Sequence, residues 1–252
     1  MPDHQSQYLP TELLQDYIDT FFGYGSWSTS KFWFIGIEEG GGNEKEDLER
    51  RLSSWVKLGK CDLMDCKLHH QNTGSFTKPL LLKMHSRTWT RLILTKLGFQ
   101  SISRTQEAML NVQNNDWGIL NSDNLLVELL PLPSPGLKYW NYKDWVDLDS
   151  SLNFLCDRNA YKLKVIETRV NYIRSKIAEH HPVVVLFYGK MMESHWDIII
   201  NSNKELDCFK IGNHSVRYIK IDKTLFVQCP QPTYIRAYAF WTELGHKIKT
   251  WL

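Results

Sequence analysis

Four short runs along the chain are apolar at consecutive positions: Lys31–Ile37 (KFWFIGI), Asn124–Leu130 (NLLVELL), Val183–Tyr188 (VVVLFY) and Thr224–Cys229 (TLFVQC). β-Branched and aromatic residues fill them, and each ends at glycine, proline or charge, which predicts strands. Unbroken apolarity, as opposed to alternation, is expected of strands covered on both faces, as in parallel sheets. Helical spacing occupies the intervals. Leu14, Tyr17, Ile18 and Phe21 form one stripe, Leu48, Leu52 and Trp55 a second, and Trp89, Leu92, Ile93 and Leu97 a third, closed by Gly98. Leu163, Ile166, Val170, Ile173 and Ile177 make the clearest stripe, leaving Lys162, Lys164, Arg169, Arg174 and Lys176 for solvent. Tyr234, Tyr238, Trp241, Leu244 and Ile248 predict a C-terminal helix. Strands alternating with helices imply right-handed crossovers and an α/β fold whose mainly parallel sheet is covered by helices. Residues 57–78 are polar and weakly patterned and read as an insertion or long loop, and 131–160 as a second irregular segment. The whole chain, 1–252, reads as one domain.

Charge narrows the function classes. Thirty Lys and Arg stand against 28 Asp and Glu, a net charge of +2, which excludes a histone-like polycation but not a local basic groove. Thirty-two aromatic residues suit cores and base-stacking platforms equally. Five scattered cysteines do not make a disulfide scaffold and point to a reducing compartment. The acidic N-terminus does not read as a signal peptide, and no apolar run approaches the roughly 20 residues of a membrane helix. The expectation is a cytoplasmic protein, monomeric, with no membrane association.

Ligands of open α/β sheets bind outside the carboxyl ends of the strands. Here those ends carry Gly36-Ile37-Glu38-Glu39-Gly40-Gly41-Gly42, then Glu128 before a Pro-rich stretch, then Gly189-Lys190, then Gln228-Cys229-Pro230-Gln231-Pro232. Acids, a triple glycine, a lysine and a Pro-bracketed loop are therefore expected to converge on one cleft. Glu38 and Glu39 suit the stabilisation of an oxocarbenium-like transition state; they suit equally well the cap of a following helix. The glycines fit positive φ in a tight loop or a phosphate cradle. Cys61, Cys66, His69 and His70 form C-x4-C-x2-H-H, a loose spacing for zinc, and the cysteine arrangement does not fit an iron–sulfur cluster. No metal and no organic cofactor is expected.

These segments, in this order, resemble the uracil-DNA glycosylase superfamily. GIEEGGG resembles its Gly-x-Asp/Asn-Pro-x-x-Gly loop, LLVE its Leu-Leu-Leu-Asn strand, VVVLFYGK its strand ending in Gly-Lys, and CPQPTYIR its His/Asn-Pro-Ser-Pro motif with a following Arg. The resemblance covers most of the chain, through short motifs with two polar signature positions substituted. It implies a three-layer α/β/α sandwich around four parallel strands and a monofunctional enzyme that extrudes a base from DNA, duplex or single-stranded, and releases it.

Carried over residue by residue, the resemblance places Glu38 in the carboxylate position that orients water, with Glu39 as fallback, on a loop formed with Gly36, Ile37 and Gly41. Glu128 replaces the Asn that reads uracil. An ionised carboxylate cannot donate to uracil's carbonyl, whereas a neutral acid can pair with the amine and N3 of cytosine, and burial favours that form. The other reading of Glu128 is a partner for a buried Arg or Lys. Gly40 stands where the family has a Tyr that excludes a 5-methyl group, so the 5-position is open and a modified cytosine, as in some phage genomes, fits. Cys229 replaces the His or Asn that donates to the departing base, which leaves Gln228 or Gln231 as donor. Pro230 and Pro232 stiffen that loop, and Tyr234 or Ile235 occupies the wedge position. Phe76 matches the base-stacking Phe, and Lys78, Lys190 and Arg236 are phosphate contacts. The resemblance thus implies excision of a modified cytosine, as in anti-phage defence. Alternatives are excision of uracil or a deaminated base, a binding module that has lost hydrolysis, and a small-molecule hydrolase or transferase on a similar sheet.

Overall fold

A computed structural model describes residues 8–74, 83–136 and 138–252. In chain order the elements are α1 (Thr11–Thr20), β1 (Gly23–Tyr24), β2 (Phe32–Gly36), α2 (Lys45–Lys57), β3 (Leu63–Met64), α3 (Cys66–Asn72), α4 (Arg87–Gln100) and α5 (Gln106–Asn115). They continue with β4 (Asn124–Glu128), α6 (Arg158–His180), β5 (Val184–Tyr188), α7 (Glu193–Ile200), β6 (Asp207–Ile211), β7 (His214–Ile221), β8 (Thr224–Cys229) and α8 (Tyr238–Trp251).

The fold is α/β, built on a single mixed sheet of eight strands among the described residues, ordered β3-β1-β4-β2-β5-β8-β7-β6. The four strands expected from the sequence, β2, β4, β5 and β8, are its centre and pair in parallel. The sheet is wider than expected. Residues 57–74, expected to be irregular, supply β3 and α3, and β3 pairs in parallel with β1, which runs antiparallel to β4. At the other edge the β6–β7 hairpin adds antiparallel strands to β8.

The central strands are buried on both faces, as their unbroken apolar runs require. Three helix readings are corrected in part. On α6, Val170, Ile173 and Ile177 are buried as expected, but Leu163 is 85% exposed, and Arg169, expected in solvent, is buried along with Tyr161 and Val165. Arg169 is drawn inward because its guanidinium donates to the carbonyls of Leu129 (2.6 Å) and Glu128 (2.8 Å) and lies 3.9 Å from the centre of the Phe22 ring. Gly98 does not close α4 but lies within it. A Cβ there would stand 2.2 Å from the Thr242 carbonyl oxygen, and one on Gly245 would stand 2.1 Å from that of Thr95. The two glycines let α4 and α8 pack backbone against backbone. Tyr234 falls outside α8, on a 3-10 turn spanning Pro232–Tyr234.

Candidate functional site

The carboxyl ends of the parallel strands do converge on one cleft, of about 780 Å³. Ile37, Glu38, Glu39 and Gly40 line it from the β2 end, Glu128 from β4, Gly189 and Lys190 from β5, and Pro230, Gln231 and Tyr234 from β8. Ser134, Pro135 and Gly136 close one side. That Pro-rich loop is held by backbone bonds, Ser134 N to Glu39 O (2.9 Å) and Leu130 N to Ile37 O (2.7 Å), and by Tyr142 donating to Pro133 O (2.6 Å).

Glu128 lies at the end of β4. The residue as a whole is half-buried, but its Oε2 is sealed from solvent and has no hydrogen-bond partner. Tyr188 donates its hydroxyl proton to Oε1 (3.2 Å). Burial, reinforced by the negative charge of Glu39, raises the carboxyl pKa well above the ordinary range, more than the Tyr188 bond lowers it. Burial therefore favours the neutral acid form of Glu128. The expected alternative, a carboxylate paired with a buried Arg, is not realised: Arg169 serves the backbone carbonyls and leaves the carboxyl alone. Gly36 is glycine because a Cβ would stand 2.2 Å from the Tyr188 hydroxyl and 2.6 Å from Glu128 Oε2.

Glu38 and Glu39 line the cleft but not as free carboxylates. Arg158, at the start of α6, clamps both oxygens of Glu38 and also donates to Ser134 Oγ (3.0 Å). Burial raises the Glu38 pKa, and the Arg158 bond opposes that rise. Arg51 of α2 pairs with Glu39 and lies 3.4 Å from Asp47. Neither glutamate caps α2, whose N-cap is Glu44. The three glycines divide their tasks. Gly42, at φ +68°, donates its N–H to Asp47 (2.8 Å), so that amide is committed within the chain and not to a phosphate. Gly41 packs on Arg51 and Asp47, whereas a Cβ on exposed Gly40 would meet nothing within 4 Å. The open space expected at Gly40 is present.

Other predicted residues fall elsewhere. Cys229 is buried on β8 away from the cleft lining, and burial pushes its thiol pKa up, so no thiolate is available there. Gln228 is bound to Asp197 (2.7 Å) and Arg217 (3.0 Å), also away from the cleft. Gln231 is the glutamine that enters it, with its Oε1 buried and unpartnered. Pro232 is buried at the start of the 3-10 turn, and Ile235 is buried with its carbonyl accepting from Arg91 (2.8 Å). Of the two residues expected at the wedge position, Tyr234 is the one that reaches the cleft rim, at 73% exposure. Lys190 is exposed on the rim, and Arg236 is exposed beyond the lining. Phe76 and Lys78 lie outside the described residues. Among the described residues no group of three His, Cys, Asp or Glu side chains can hold a metal, and Cys61 is exposed while Cys66, His69 and His70 are buried.

Sequence reasoning missed half the cleft wall. Tyr24, His70, His85, Trp89 and Trp117 line its β1–β4 side. The rings of His70 and His85 lie 4.8 Å apart, and Trp89 lies 5.2 Å from His70 and 4.6 Å from His85. Burial lowers the pKa of both histidines, so both are neutral. Tyr188 was within reach of the strand-end rule, since it immediately precedes Gly189; Arg51, Arg158, Tyr24 and Trp117 come from elements that only the tertiary fold brings near. Among the described residues no helix is long and apolar enough to cross a membrane. The chain matches no protein-family model and no curated protein.

Proposed function

We propose that the chain is a DNA base glycosylase that accepts an extruded, 5-substituted cytosine in this cleft and hydrolyses its N-glycosidic bond to leave an abasic site. The observation that carries this reading is the Glu128 carboxyl at the carboxyl end of β4, whose Oε2 is sealed and unpartnered, with burial favouring its neutral form. With Tyr188 donating to Oε1, the acid proton belongs on Oε2. A turn of the carboxyl on binding would bring the sealed Oε2–H to cytosine N3 while Oε1 accepts from the exocyclic amine. In the reaction, water oxygen bonds to C1′ as the C1′–N1 bond breaks, the electron pair leaves with the base, and the proton the water gives up replaces, through solvent, the one that Glu128 yields to the base. The Glu128 proton meets the charge that develops there. Glu38 orients the water. Because Arg158 offsets much of its charge, Glu38 contributes position more than field, and activation of the leaving group bears more of the work. The four parallel strands and the open Gly40 support the family resemblance and the substituted base.

The same pairing of both cleft glutamates, with Cys229 withdrawn from the cleft, favours a second reading: a module that binds a modified base without releasing it. Base release from oligonucleotides carrying uracil, cytosine, 5-methylcytosine or 5-hydroxymethylcytosine, read by alkali cleavage at abasic sites, separates the two. Release confined to a 5-substituted cytosine and abolished by Glu38→Gln and Glu128→Ala supports the enzyme. Tight binding without release supports the module, and release at uracil alone refutes the account of Glu128 and Gly40.

A further inference from the structure

We infer that Arg87, Arg91 and Arg236 form a seat for backbone phosphates of the strand whose base enters the cleft. This rests on the base-binding reading above. Arg87 is exposed between Ser86 and Thr88, both of which line the cleft, and Arg236 is exposed two residues past Tyr234, which also lines it. Arg91 ties the two together. It is 5% exposed, and it donates from Nη1 to the Arg87 carbonyl (2.9 Å) and from Nε to that of Ile235 (2.8 Å), the residue before Arg236. Its Nη2 is unbonded among the described residues and is not sealed from solvent. Arg104 adds a fourth guanidinium, 5.7 Å from the centre of the exposed Tyr238 ring.

These charges have no internal counterpart. Among the described residues Arg50, Arg51, Arg158 and Arg217 pair with carboxylates, whereas Arg87, Arg91, Arg104 and Arg236 pair with none. Burial, with the like charges of Arg87 and Arg236, lowers the Arg91 pKa against the opposing Tyr238 phenol, and no carboxylate is among the groups acting on it. The helix ends add to the crowding. α4 and α8 run parallel, with Arg91 beside Ile235 and Gly98 beside Thr242, so both positive helix ends lie at the cleft lip. Neither helix has an acid in its first turn; α4 has none at all, and Glu243, the first in α8, lies beyond the opening turn. Like charge gathered in this way indicates an anion supplied from outside. A guanidinium fork matches the paired oxygens of a phosphodiester, and Lys190, exposed on the rim, carries the same sign. Its place at the mouth of the cleft selects a nucleic-acid strand over an acidic protein, because a strand with its base inside must carry phosphates past this lip.

Arg87→Gln and Arg236→Gln remove charge from two exposed side chains. Binding is read by anisotropy of a labelled single-stranded oligonucleotide of unmodified bases across a salt series. The slope of log Kd against log salt should fall by about 0.7 for each variant and about 1.4 for the double variant. Lys31→Gln with Lys223→Gln, exposed lysines at the amino ends of β2 and β8, should leave the slope unchanged. The double variant's melting temperature without DNA should stay level or rise, because like-charge repulsion is relieved. An unchanged slope in the double variant, an equal fall in the lysine control, a clear drop in melting temperature, or polyglutamate competing as well as the oligonucleotide at equal charge would overturn the seat. A slope lowered by the arginine variants in a protein that releases no base sinks the glycosylase and leaves the seat standing. Base release with an unchanged slope does the reverse, and no binding to any oligonucleotide at low salt sinks both.

Discussion

Replacing Glu128 with Gln tests the central chemical claim without any substrate. Glutamine has the shape and the donor–acceptor pattern of a neutral carboxylic acid but carries no titrating proton. In the native chain burial and the Glu39 charge raise the Glu128 pKa well above the ordinary carboxylate range, whereas the unfolded chain ionises within that range. Between the two values the native state holds a proton that the unfolded state has released. The stability that Glu128 contributes is therefore fully present below the ordinary range and is lost as pH rises toward the raised value. The loss runs at about 1.4 kcal/mol per pH unit. Above the ordinary carboxylate range the wild type should lose stability relative to Glu128→Gln at that slope, and the pH at which the difference levels off gives the native pKa. Glu38, also raised by burial, titrates in both proteins and largely cancels from the difference. Urea denaturation of the two proteins at half-unit intervals from pH 4.5 to 8 measures it. A difference that does not change with pH would show that Glu128 is ionised in the native cleft, and the pairing with cytosine N3 would fail with it.

Four further outcomes follow from the same geometry. Arg158→Met leaves the Glu38 carboxylate, whose side chain is 9% exposed, without its partner and should destabilise by roughly 3 kcal/mol in urea melts. Adding Glu38→Gln to that variant should recover part of the loss. Gly40→Tyr should leave stability within about 0.5 kcal/mol, because the position opens on empty space, yet abolish binding of 5-substituted bases. Gly42→Ala is the contrast: at φ +68° and 2.6 Å from the Pro133 carbonyl oxygen, an added Cβ should cost at least about 1–2 kcal/mol by calorimetry. Lys190→Ala and Arg236→Ala together should flatten the dependence of log Kd on log salt for duplex DNA by about 0.9 per phosphate contact removed. An unchanged slope would mean that neither residue touches the backbone.

The sheet centre was legible because strands covered on both faces need apolar residues at every position, and Phe32–Gly36 and Val184–Tyr188 show this directly. The edges were not. β1 and β3 are two residues long, too short to carry a period, and β6 shows solvent Asp207, Cys208 and Lys210, so its placement is set by pairing with β7 and not by burial. Arg169 broke the helix reading because backbone carbonyls at the end of β4 offered a buried guanidinium its partners, which hydrophobic spacing cannot register. In the cleft, the strand-end rule located Glu38, Glu39, Gly40, Glu128, Lys190 and Gln231. It also nominated Cys229, whose buried side chain does not line the cleft. The partners that decide the charge of those acids, Arg51 and Arg158, sit 12 and 120 residues from them in the chain, and no local pattern joins them.

The contact of α4 with α8 bears on how anything enters the cleft. Ser86, Thr88 and Trp89, at the start of α4, form one lip, and the Thr233–Tyr234 turn before α8 forms another. Gly98 and Gly245 bring the two helix backbones together, and Arg91 on α4 donates to the carbonyl of Ile235 just past that turn. The two lips are thus tied to one helix pair and move together. On the glycosylase reading, any widening of the mouth would fall to the other lining segments, such as Ile37–Gly40 and Ser134–Gly136, and a nucleotide already swung out of a duplex would be captured without parting these two lips.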